Sequence, residues 1–161
     1  MKGRINFDWL VLIQMVIGYE WLQSGWEKIH SGTFASTIGK TLAAFTAAKN
    51  PNGWYVDFLK SSAIPNKELF ANLTMYGELL VGIALLGGGL LLLFTSLGGY
   101  ARAYFWVLLA ALVGGALMNL NFYFAAGWTS PSTSSVNVIM FLIELILIGF
   151  VFKFLTKEEL K

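Results

Sequence analysis

Apolar residues fall along this chain in four runs, at roughly residues 8–29, 68–94, 101–124 and 136–155, divided by two short polar breaks and one long connection. Each run reaches the length of about 20 residues at which an α-helix crosses the hydrocarbon layer of a bilayer. The breaks are Thr95-Ser96-Leu97-Gly98-Gly99 and Gly127-Trp128-Thr129-Ser130-Pro131-Ser132-Thr133. Loops this short make consecutive spans antiparallel neighbours. The pattern predicts an all-α chain, an integral membrane four-helix up-and-down bundle.

The long connection, residues 30–67, has a pattern of its own. Phe34, Ile38, Leu42 and Phe45 recur at helical spacing, with Ser36, Thr37, Lys40 and Thr41 on the other faces. Asn50-Pro51-Asn52-Gly53 is a turn signal, and a second short amphipathic piece follows with Trp54 and Phe58 one turn apart. Pro65-Asn66 closes the segment, with Asn66 as the expected N-cap of the second span. Short amphipathic helices between membrane spans lie in the interface plane. These two are expected to roof one end of the bundle, or merely to join two spans.

Composition agrees with a membrane protein. The chain has 161 residues, 57% hydrophobic and only 12% charged, where a soluble domain is about one quarter charged. One domain, residues 1–161, accounts for all four runs. The net charge of +2, with basic residues scattered, gives no reason to expect nucleic acid as a partner. With no cysteine there is no disulfide, no thiolate-held Fe–S cluster and no covalent haem. The single histidine, His30, cannot supply two haem ligands, and no metal site is expected. A redox role would need a non-covalent organic cofactor or a partner subunit.

The first run resembles a signal peptide in following Lys2 and Arg4, but it continues to about Trp26, lacks a small-residue cleavage site and contains Glu20. It is expected to be an uncleaved first span. Lys2, Arg4, Arg102, Lys153, Lys157 and Lys161 fall on one side; Lys28, Lys40, Lys49, Lys60 and Lys67 fall in or beside the long connection. This distribution favours a cell-membrane protein with both termini cytoplasmic and the roof outside.

Three of the four runs contain a glutamate: Glu20, Glu78 and Glu144. An ionisable residue in hydrocarbon is costly, and it usually lines a bundle interior, a cavity or a proton path. Counted from the span ends at 1.5 Å per residue, each lies roughly 12–15 Å below the outer surface. The third span adds Asn119 and Asn121 in the same half. Glu20, Gln23, Ser24 and Glu27 share one side of the first helix; Thr74, Glu78 and Gly82 share one side of the second; Asn137 and Glu144 lie two turns apart on the fourth. All three carboxylates are therefore expected to face the bundle. No Lys or Arg is expected at their depth, so at least one of the three should be protonated at neutral pH. A protonated carboxyl suits a proton relay or recognition of a quinone carbonyl. The plainer alternative is a set of interhelical hydrogen bonds, worth about 0.6–2 kcal/mol each. Trp26 is a candidate for stacking on a ring and His30 a candidate proton donor at the rim, although an interfacial belt and plain solvation are the favoured accounts of them.

Several segments carry a family resemblance. Asn66-Lys67-Glu68-Leu69-Phe70-Ala71, Tyr76-Gly77-Glu78-Leu79-Leu80-Val81-Gly82 with Leu86-Gly87, and Gly115-Ala116-Leu117-Met118-Asn119-Leu120-Asn121-Phe122 with Ala125 and Gly127 are similar to the DoxX/DoxD family of small four-helix membrane proteins. Ser24-Gly25-Trp26-Glu27-Lys28 looks like that family's opening helix, and Trp54-Tyr55-Val56-Asp57-Phe58-Leu59 is similar to its DoxD branch. The resemblance implies the membrane subunit of a quinone-linked oxidoreductase, with a thiosulfate:quinone oxidoreductase as the DoxD-type example, working with a second redox subunit. Glu78 would then be the family's acidic position, and Asn119 and Asn121 its polar third-span pair. On this expectation Glu78, Glu20 and Glu144 handle protons or a quinone head group, assisted by Asn119, Asn121, Trp26 and His30. The competing expectation is a non-catalytic accessory or assembly subunit of a larger membrane complex.

Overall fold

The computed structural model describes residues 2–156, with side chains from Trp9 onward. Lys157 and Lys161, which enter the orientation argument, lie outside the described residues, as do the side chains of Lys2 and Arg4. Helices α1 (Lys2–His30), α2 (Phe34–Phe45), α3 (Gly53–Phe58), α4 (Lys67–Gly82), α5 (Gly88–Phe94), α6 (Ala101–Ala126) and α7 (Pro131–Thr156) form the described chain. A π-helical turn, Ile83–Gly87, joins α4 and α5 into one rod, and a second, Leu59–Ala63, extends α3.

Three of these rods are long and apolar enough to cross a membrane: Lys67–Phe94, Gly98–Thr129 and Pro131–Thr156, with mean hydropathies of 2.1, 1.8 and 2.6. Their outward faces carry Leu80, Ile83, Val107, Leu117 and Ile146, all more than half exposed. Contiguous apolar surface of this extent is what lipid contact requires. The first helix does not join that set. Gln14, Glu20 and Gln23 interrupt its apolar run, although it is as long as the others.

The fourth rod starts earlier than its apolar run. Pro131 occupies the first helical position, where its missing N–H costs nothing. Ser130 Oγ accepts from the Thr133 amide at 3.1 Å, which caps the helix. Asn66 stands at the N-cap position of α4, but its side chain donates backward to the Ser62 carbonyl at 2.9 Å. The expected cap bond is therefore absent.

Helix α1 lies directly against α4. A Cβ added to Gly25 would fall on the Leu79 backbone, one on Gly18 on Leu86, and one on Gly82 on Leu22. Glycines let the two backbones approach this closely, so that van der Waals packing holds the helices together. Gln14 Nε2 donates to the Leu85 carbonyl at 2.8 Å, inside the π turn. Irregular turns of this kind disturb the backbone ladder, and a buried side-chain donor restores the lost pairing.

Two apolar clusters result. One joins Trp21, Leu85, Phe105, Leu112 and Leu147 along the rods. The other joins Ile38, Leu42, Tyr55, Leu59, Ala71 and Ala125, and so seats the short helices on the ends of α4 and α6. Ile38 and Leu42 are the buried positions of α2, as its spacing predicts.

Candidate functional site

The chain between α2 and α3 is pinned to the end of α6. Asn52 accepts no role as a free turn residue: its amide N–H donates to Asn50 Oδ1 at 2.9 Å, and its side chain donates to the Phe124 carbonyl at 3.2 Å. Asn50 in turn donates to the Phe45 carbonyl at 2.9 Å, closing the end of α2. Tyr55 on α3 donates its phenolic O–H to Asn121 Oδ1 on α6. Burial pushes the Tyr55 phenol up to about 12, so it is a donor throughout the physiological range.

Under this roof lies a cavity of about 330 Å³. That is the size of a small-molecule pocket. Phe34, Phe45, Phe58, Phe70 and Phe122 supply much of its wall, while Tyr55 and Asn121 bring polar atoms to it. At its base are Ser24 and Lys28 from α1 and Glu78 from α4.

Lys28 is the residue that sequence reasoning missed. Its Nζ donates to Glu78 Oε2 at 2.6 Å and to Ser24 Oγ at 2.7 Å, and stands 5.6 Å from the centre of the Phe34 ring. The expectation that no cation reaches the depth of the carboxylates is thus overturned. A lysine stem carries its ammonium well beyond its own turn of helix, and here it reaches inward rather than toward the rim. Glu78 is fully buried. Its second oxygen, Oε1, has no hydrogen-bond partner among the described residues. The Ser24 hydroxyl accepts from Lys28 and keeps its own O–H beside the same carboxylate.

The three glutamates do not gather. Glu144 is fully buried, but in a separate cluster, where Oε1 accepts from Trp21 Nε1 and Oε2 from Asn119 Nδ2, each at 2.8 Å. Gly115 makes room for it, since a Cβ there would collide with Glu144 Oε1. Glu20 is exposed on the outer face of α1, together with Gln23 and Glu27, whose side chains bond to each other at 3.1 Å. The expected polar stripe of α1 is therefore split: Ser24 turns inward and the other three turn out. The reason is steric. Gly18 and Gly25 fix which face of α1 meets α4, and Glu20 lies off that face.

Among the other candidates, Asn121 lines the cavity, whereas Asn119 belongs to the Glu144 cluster. Trp26 is 58% exposed and stacks on His30, with ring centres 5.8 Å apart and planes 10° apart. Neither lines the cavity. Ser24, Lys28 and Tyr55 line the cavity, whereas Glu20, Trp26 and His30 do not. No protein-family model matches the chain, nor does any curated protein or solved structure.

Proposed function

We propose that the chain is the ligand-holding membrane subunit of a quinone-linked oxidoreductase, with the roofed cavity as its binding site. The observation that carries this reading is an aromatic-walled cavity of about 330 Å³ with an ion pair at its base, between the fully buried Glu78 and the partly buried Lys28. Flat aromatic walls suit a ring, and a few fixed polar atoms orient it. With no cysteine and a single histidine in the sequence, electron delivery is assigned to a partner subunit. Glu78 and Lys28 would manage hydrogen bonds and protons at the head group. In this reading α1 is the fourth span of an up-and-down bundle in the cell membrane. Helices α2 and α3 would lie at its outer interface, and both termini would be cytoplasmic.

The thiosulfate part of the family expectation rests on the resemblance alone. An anion needs convergent unpaired donors, and Lys28 is already neutralised by Glu78. Any thiosulfate chemistry is accordingly assigned to the partner. Glu144 and Asn119 are assigned to holding α6 and α7 together, and Glu20 to the outer face. That exposed acidic face of α1 favours contact with another protein chain, which an accessory subunit would share. The test is quinone turnover by the complex extracted from its own membranes. Glu78→Gln should abolish turnover while leaving complex yield unchanged. Unchanged turnover, or loss of yield alone, would leave the accessory role instead.

A further inference from the structure

At the base of the cavity the Lys28 ammonium is fully engaged, and one carboxylate acceptor is not. Lys28 Nζ is shared between Glu78 Oε2, Ser24 Oγ and, at 3.4 Å, the Ser24 carbonyl. Its three N–H bonds are thereby taken. Among the described residues Glu78 Oε1 remains without a partner, although the residue is fully buried and forms part of the cavity wall. A buried acceptor left unpaired costs about 1–3 kcal/mol, and more when charged. The opposite arrangement holds across the cavity. Asn121 Oδ1 is taken by the Tyr55 hydroxyl, which leaves the Asn121 amide N–H groups as donors.

We propose that the base of this cavity selects a hydroxylic ligand, whose O–H donates to Glu78 Oε1, so that the quinol is held in preference to the quinone. This inference rests on the quinone-binding reading of the cavity and adds which redox form it favours. The physical reason is polarity of the contact. A quinone carbonyl is an acceptor only, and against Glu78 Oε1 it would set two oxygens face to face with no proton between them. A quinol hydroxyl supplies that proton in a charge-assisted bond, which is about twice as strong as a neutral one. A carbonyl or ether oxygen elsewhere on the same ligand would suit the Asn121 amide.

The experiment is calorimetric titration of the purified full-length protein with four probes under anaerobic conditions. They are a short-chain benzoquinone, its quinol, the dimethyl ether of that quinol, and a redox-inert alkylphenol. The quinol should bind at least about tenfold more tightly than the quinone or the dimethyl ether, as one charge-assisted hydrogen bond requires. In Glu78→Gln the amide oxygen takes the Lys28 bond and an N–H replaces Oε1, so the preference should reverse toward the quinone. If that variant fails to fold, the wild-type contrast between the quinol and its dimethyl ether decides the matter. Equal binding of quinol and quinone, or tighter quinone binding, would overturn the inference and leave the quinone site standing. Binding of the alkylphenol alone would retain the hydroxyl preference and sink the quinone reading. No binding by any of the four would overturn both.

Discussion

Lys28 and Glu78 are 50 positions apart in the chain, and their charged atoms are 2.6 Å apart at the base of the cavity. The pair joins α1 to α4 where the two helices are otherwise held by glycine contacts, and it leaves the cavity base electrically neutral. A buried pair is not a large net source of stability, because desolvation offsets most of the attraction. Its weight falls on the single substitutions. Lys28→Met strands a buried carboxylate, a loss of about 3–5 kcal/mol. Lys28→Met with Glu78→Gln removes both charges and should recover part of that loss. Thermal unfolding in detergent of Lys28→Met, Glu78→Gln and the double variant measures the coupling. Additive losses in the double variant would show that the two residues do not act as a pair.

Glu144 should behave differently, because its two oxygens are both bonded inside the protein and it lies outside the cavity. Glu144→Leu would orphan the Trp21 and Asn119 donors and should cost about 2–6 kcal/mol, at roughly 1–3 for each stranded group. Ligand affinity of the folded fraction should stay the same. A Glu144→Leu protein of normal stability but impaired ligand binding would move this cluster from structure to function.

Much of this architecture is legible in the chain. The rods follow from apolar length, and α2 follows from Phe34, Ile38, Leu42 and Phe45. The interior of α1 is legible too, but from a different signal than charge. Gln14, Gly18, Trp21, Gly25 and Lys28 alternate at spacings of four and three, the seam of a packed helix pair. Reading that seam would have placed Lys28 inside and Glu20 outside. Following the carboxylates instead groups Glu20 with residues it never meets. The separation of Glu78 from Glu144 is not legible at all. Equal depth in two helices fixes their height along the rods and not the rotation of each rod about its axis. That rotation is set by contacts such as Gly115 against Glu144, which no linear pattern encodes.

Tyr55 gives the roof a pH signature. Its phenol is raised from 10.0 to about 12 by burial. A group whose folded value is raised contributes stability that is fully present below pH 10 and is lost as pH climbs toward 12, since the unfolded chain ionises first. The wild-type protein should therefore lose stability over that window more steeply than Tyr55→Phe, which lacks the group. Absorbance of phenolate against pH, in wild type and variant, isolates the residue. A Tyr55 that ionises near pH 10 would mean that the roof is open to water.

The closest test of how the cavity base is built lies away from the charged residues, at Gly25 and Gly82. Each occupies a point where α1 and α4 touch through backbone, and a Cβ at either would overlap Leu79 or Leu22. Gly82→Val must push the helices apart, because the obstructing atoms belong to the main chain and cannot rotate away. Overpacking of this kind costs about 1–3 kcal/mol, occasionally more. The functional effect should exceed the loss of stability. Lys28 and Glu78 stand on opposite helices, and a shift of even 1 Å lengthens a 2.6 Å contact beyond a good hydrogen bond. The expected outcome is a folded, destabilised protein whose ligand affinity falls toward that of Lys28→Met. Gly149→Ala is the control, since nothing lies within 4 Å of the added Cβ. It should leave affinity unchanged and stability unchanged or raised by up to about 1 kcal/mol, since Ala is the better helix former. If Gly82→Val binds ligand normally, the ion pair does not depend on the glycine contacts, and the cavity base is held by the roof instead.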